Sequence, residues 1–106
     1  MPIVQFEWDE QNVGHLARRQ ILPQEAEQVI LNRPVDVSTE LRNGEERVAQ
    51  VGETDAGRIL IIISTMRDSK IRVVTAWPAN ERLRRYFQTQ KRSGHVGRIE
   101  KQDIRE

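Results

Sequence analysis

Arg47, Arg67 and Arg72 fall on three successive predicted strands or at their ends, and Arg18 and Arg19 stand at the end of the first predicted helix. A guanidinium is a planar, permanently charged fork that meets phosphate oxygens two at a time. Arginines gathered on one sheet face would therefore make a phosphate-sized cationic site. Arginines scattered along strands also serve to keep sheet edges soluble, and spacing alone leaves both readings open. Histidine offers less. His15 lies beside Leu16 on the same helix, and a general base needs a second group to orient it, so packing or hydrogen bonding is the simpler expectation. His95 falls in the last stretch of chain and is expected to be solvated. Glu25 with Glu27, and Glu45 with Glu46, are not spaced as an acid–base pair and read as surface charge. Glycine-rich phosphate loops and the H-E-x-x-H and G-x-S-x-G patterns are absent.

The elements that must position these residues follow from local chemistry. Pro2 to Trp8 alternates apolar and polar residues and predicts a short strand. Asp9 is a helix N-cap, followed at helical spacing by Val13, Leu16 and Ala17 in a helix to about Arg19. Pro23 suits the first turn of a second helix with Ala26, Val29 and Ile30 on its apolar face, and Pro34 stops it. Two alternating strands then flank the turn signal Asn43-Gly44, placing Arg47, Ala49 and Val51 on one face. After Thr54-Asp55-Ala56-Gly57, the unbroken run Ile59 to Ile63 reads as a central strand buried on both faces. In the next strand, strict alternation sets Ile71, Val73 and Thr75 against Arg72, Val74 and Ala76. Asn80 caps a last helix with Ala79, Leu83, Tyr86 and Phe87 as its apolar stripe and Arg82, Arg84 and Arg85 on the wet side. The fold class is α+β, a four-stranded antiparallel meander from Val35 to Ala76, extended by the first strand, with two N-terminal helices and one C-terminal helix packed on it. One domain over residues 1–92 and a flexible tail over 93–106 are expected.

At 106 residues there is room for a single domain, given roughly 100 to 200 residues per domain. The absence of cysteine excludes disulfides, thiolate chemistry and cysteine zinc sites, and two isolated histidines argue against a histidine metal cluster, so neither metal nor cofactor is expected. The N-terminal residues lack a basic start and an apolar run, and no segment approaches the roughly 18 apolar residues of a membrane span, so a soluble cytoplasmic protein is expected. The net charge of +1 hides an asymmetry: residues 1–66 carry 6 cations and 11 anions, whereas residues 67–98 carry 9 and 2. Fourteen of the 17 cations are arginine, so phosphate binding and a merely solvated helix face both remain open.

The ordered set Phe6-Glu7-Trp8-Asp9, Asn12, His15, Ala17-Arg18, Pro23 to Glu27, Glu46-Arg47, Gly52-x-Thr54, Gly57-Arg58 and Ile71-Arg72-Val73-Val74-Thr75-Ala76 resembles the BrnT-type toxins over about residues 3 to 88. These are small RelE-like ribonucleases of bacterial type II toxin–antitoxin pairs. The resemblance implies a RelE-like fold and a metal-independent RNA endonuclease that inhibits translation. In such an enzyme basic and hydroxyl side chains help an RNA 2′-OH attack its own phosphodiester. Carried over by position, it implies catalytic roles for Arg47, Arg72 and Thr75, and RNA binding by Arg18 and its neighbours Arg19, Arg67 and Arg82.

Three positions depart from the family pattern. Arg19 stands where a histidine is common, Trp77 where an arginine is common and Leu83 where a glutamate is common. Two functions follow: a nuclease, weakened unless Arg19 or Arg82 compensates, or a non-catalytic homologue that binds its partner within a repressor complex. The resemblance also implies a small antitoxin of ribbon-helix-helix type as partner, with DNA contacted only through that complex and no membrane association.

Overall fold

Asp9 starts the first helix as its chemistry predicts, its carboxylate accepting from the amides of Gln11 and Asn12 while the Asn12 side chain accepts from the Asp9 amide. The computed structural model describes residues 4–93 and Ile104. Elements run β1 (Phe6–Glu7), α1 (Glu10–Ala17), α2 (Pro23–Leu31), β2 (Val35–Arg42), β3 (Glu45–Glu53), β4 (Ile59–Arg67), β5 (Lys70–Pro78) and α3 (Glu81–Ser93). Pro23 opens α2, and Asn80 accepts from the Leu83 amide ahead of α3. The β2–β3 and β4–β5 turns each place two residues at positive φ, Asn43 (52°) with Gly44 (77°) and Asp68 (50°) with Ser69 (65°). This is the twist a two-residue hairpin requires.

The sheet order is β1-β5-β4-β3-β2. The meander β2 to β5 is antiparallel, and β4 is central as its apolar run predicts, with Leu60, Ile61 and Ile62 fully buried. β1 extends the sheet beside β5 in parallel, with Phe6 opposite Ile71 and Glu7 opposite Arg72, so the whole sheet is mixed. The period-2 pattern carries no direction. Here the edge of β5 receives β1 through a bond from the Ile71 amide to the Gln5 carbonyl (2.8 Å).

Successive β4 side chains enter different cores. Leu60 and Ile62 pack with Val73 and Ala76 against Leu16, Ile21, Ala26 and Val29 beneath α1 and α2. Ile61 packs with Val51 against Ala79, Leu83 and Phe87 beneath α3. The close approach of α2 rests on Gly52, where a Cβ would come within 2.9 Å of Val29 Cγ1 and 3.1 Å of Pro34 Cβ. Two carboxylates read as surface charge are structural instead. Glu27 accepts from Trp8 Nε1 at 2.7 Å, and Glu25 accepts from the Leu22 amide and pairs with Arg58.

The first helix differs from expectation. It ends at Ala17, with Gln20 at positive φ turning the chain, and it buries Asn12 and Leu16 while Val13 and Ala17 stay exposed. Asn12 Nδ2 donates to the carbonyls of Glu7 and Val73, so the edge of β5 draws a polar side chain inward where an apolar one was expected. His95 and the expected tail, apart from Ser93 and Ile104, lie outside the described residues. Among the described residues no helix is long and apolar enough to cross a membrane.

Candidate functional site

Strict alternation along β5 fails at one residue. Ile63 pairs with Thr75 and Ser64 with Val73, leaving Val74 as an inserted residue, a β-bulge. Val73 and Ala76 consequently both point into the core beneath α1 and α2, and Arg72 and Thr75 share the opposite face. On that face α3 covers the end that holds Val51 and Ile61. Arg47, Arg72 and Thr75 lie beyond its cover and line an open trough.

The trough has two adjoining parts. A cavity of about 80 Å³ is lined by Gln11, Asn12, His15, Arg47, Arg67 and Arg72 with Val74. A second, of about 280 Å³, takes Thr75, Trp77, Ile63 and Ala49 from the sheet and Ser38, Glu40 and Arg42 from β2, and Ile104 borders it. Arg47 and Val74 line both. The sheet thus brings Arg47, Arg67 and Arg72 together in one cavity and Thr75 into the adjoining one. Arg18, Arg19 and Arg82 line neither, and Arg18 and Arg82 are exposed. Arg19 sits with its guanidinium carbon 5.9 Å from the centre of the Trp77 ring, so two departures from the family pattern touch each other. The third, Leu83, is fully buried in the core under α3 and away from the trough.

Each trough arginine already has an anionic neighbour. Arg72, 7% exposed at its side chain, donates through Nη1 to Glu7 (2.9 Å) and Asp9 (2.8 Å) and through Nη2 to Asp9 (3.2 Å). The hydrogen bond from Arg72, with the Asn12 amide second, holds the Asp9 carboxyl below the usual carboxylate range, and Asp9 in turn raises the Arg72 guanidinium. Arg67 Nε donates to Glu45 at 2.9 Å, lowering that carboxyl and raising its own value. Glu45 also lies 3.6 Å from Arg47 Nε, which is buried without a hydrogen bond. Arg72 is therefore a tie between β5 and the start of α1 as well as a wall of the cavity, and Glu45 holds two guanidinium groups side by side.

His15 Nδ1 lies 3.2 Å from the Val74 carbonyl. A carbonyl only accepts, so Nδ1 is the donor in this contact, and in the neutral ring Nε2 is then the acceptor. The orienting group that the sequence did not supply is thus the bulged residue of β5. His15 and the Asn12 anchor were missed as site residues because their β5 partners lie 59 and 61 residues away, and Glu45 because its hydrogen-bonded partner Arg67 is 22 residues away. A polar Asn12 one helical turn before the core residue Leu16 was the one local signal. Among the described residues no three His, Asp or Glu side chains are grouped to hold a metal ion.

No curated protein matches the chain. A family profile described as "Ribonuclease toxin, BrnT, of type II toxin-antitoxin system" matches residues 8–82, a span that contains α1, the whole meander and every trough residue from Gln11 to Trp77. With well over half of its 106 residues in that match, the chain belongs to the BrnT family of ribonuclease toxins of type II toxin–antitoxin systems.

Proposed function

We propose that the trough cleaves RNA by transesterification without a metal ion, and that loss of messenger RNA then inhibits translation. The 2′-oxygen attacks the adjacent phosphorus and gives its proton to His15 Nε2. The P–O5′ bond breaks, leaving a 2′,3′-cyclic phosphate on one fragment, and the departing 5′-oxygen takes up a proton to leave a 5′-hydroxyl on the other. Arg47 and Arg67 stabilise the charge that develops on the phosphorane oxygens. Arg72 positions α1, and with it His15, through Asp9 and Glu7, Glu45 holds the arginine pair, and the Thr75 hydroxyl binds substrate beside Arg47. Arg19 contributes to RNA binding from beside Trp77, and Arg18 and Arg82 act farther out, on the flanking RNA or on the partner. The observation that carries this reading is the convergence of His15, Arg47 and Arg67 on one cavity.

Type II toxins have an antitoxin partner, and we propose a ribbon-helix-helix protein for that role, with DNA contact confined to the complex and all components in the cytoplasm. The test is RNA cleavage by the purified chain in EDTA, with the fragment ends identified. The expected products are cyclic phosphate and 5′-hydroxyl ends. Arg47→Ala should lower the rate about 10²- to 10³-fold. His15→Ala should lower it about 10²- to 10⁴-fold. Cleavage abolished by EDTA, or unchanged in both variants at equal folding, overturns the reading.

A further inference from the structure

The 280 Å³ cavity is larger than the proposed chemistry needs and is of another character. Its volume lies near the lower end of the roughly 300 to 1,000 Å³ of small-molecule sites, enough for one compact planar group. Trp77, Ile63 and Ala49 give it an apolar aromatic lining, and the Trp77 Nε1–H is buried without a hydrogen-bond partner. On the β2 side Glu40 and Arg42 form an ion pair at 3.5 Å, which sets a carboxylate beside a guanidinium at the cavity wall.

We infer that this cavity receives one unstacked nucleobase of the RNA, guanine in preference to the others, with Trp77 as its stacking surface and the Glu40–Arg42 pair reading its edge. The inference rests on the RNA-cleaving reading of the adjoining cavity, because Arg47 joins the two and would hold the phosphate next to the bound base. Guanine alone carries two adjacent donors, N1–H and N2–H, that match a carboxylate, with the O6 acceptor beside them for a guanidinium. Adenine and cytosine interrupt that order with a ring acceptor, and uracil offers a single donor between two acceptors. Stacking on an aromatic side chain tolerates any base, so Trp77 supplies affinity and Glu40 supplies the choice.

The test separates binding from cleavage by using uncleavable 2′-O-methyl pentanucleotides, four uridines around one varied central base, labelled for fluorescence anisotropy with the full chain. The guanine-centred probe should bind about tenfold or more tightly than the uridine-centred one, the size of one good edge contact. Trp77→Ala should weaken every probe about tenfold or more. Trp77→Phe, which keeps a ring in the core margin, should retain most of that affinity and serves if the alanine variant fails to fold. Glu40→Gln should bind the four probes nearly alike. Equal binding of all probes by the parent chain, or a guanine preference that survives Glu40→Gln, overturns the inference. Cleavage of mixed-sequence RNA by the parent is scored in parallel. Base-selective binding without cleavage leaves this inference standing and removes the proposed reaction, while cleavage without base selection does the reverse.

Discussion

Arg72 and Thr75 share one face of the sheet although they stand three positions apart on a single strand, a spacing that regular pleating assigns to opposite faces. The inserted Val74 produces the exception, and its carbonyl also receives His15. One backbone irregularity thereby sets the relative positions of the smaller cavity, the larger cavity and the histidine. Bulges are a recurrent way to re-aim a side chain beside a site.

The Arg72–Asp9 tie makes stability depend on acid. The Asp9 carboxyl lies below its ordinary value in the fold, so its contribution is present above the ordinary value of about 3.9 and is lost as pH falls through the lowered one. Asp9→Asn should lower the melting temperature at neutral pH and flatten the acid limb of a melting curve series between about pH 2 and pH 7. An acid limb as steep as the parent's would mean that another carboxylate carries it.

Glu45 restrains the charge on which the proposed reaction draws. It pairs with Arg67 at 2.9 Å and lies 3.6 Å from Arg47, so under that proposal RNA competes with it for both. Glu45→Gln should strengthen binding of single-stranded RNA at low salt and steepen its salt dependence, because more cation is free to meet phosphate. Filter binding across a salt series measures both quantities. Weaker binding would show that Glu45 chiefly holds the arginines in place.

Ile61 and Ile62 are adjacent, fully buried and committed to different cores. Each replaced by alanine should cost about 2 to 5 kcal/mol in urea melts, since both leave a cavity that packed neighbours cannot fill. Ile61→Ala should also loosen α3, which Ile62→Ala should leave in place, and hydrogen exchange along Leu83 to Phe87 distinguishes the two. Equal exchange in the two variants would show that the cores are coupled.

α3 exposes Arg82, Arg84 and Arg85, with Glu81 paired to Arg85 at 2.6 Å. An acidic antitoxin segment is expected to dock there, outside the trough. Changing the three arginines to alanine should reduce co-purification with the cognate antitoxin several-fold, and added salt should have the same effect on the parent. A complex indifferent to both treatments would place the contact on an apolar surface.

Much of the architecture was legible because its causes are local. Asp9 and Asn80 satisfy amides within a turn of themselves, Pro23 and Asn43-Gly44 have backbone preferences that act in place, and the run Ile59 to Ile63 declares a central strand. The arginines were recognisable as candidates, and the prospect that strands would gather Arg47, Arg67 and Arg72 followed from their order along a meander. Only the tertiary structure decided the rest. The direction of β1, the bulge at Val74 and the role of Glu45 all depend on partners brought together across turns and strands. Hydrogen bonds and ion pairs linking Glu7 and Asp9 to Arg72, 65 and 63 residues away, leave no periodic trace in the sequence, because nothing about either end requires the other until the chain has folded.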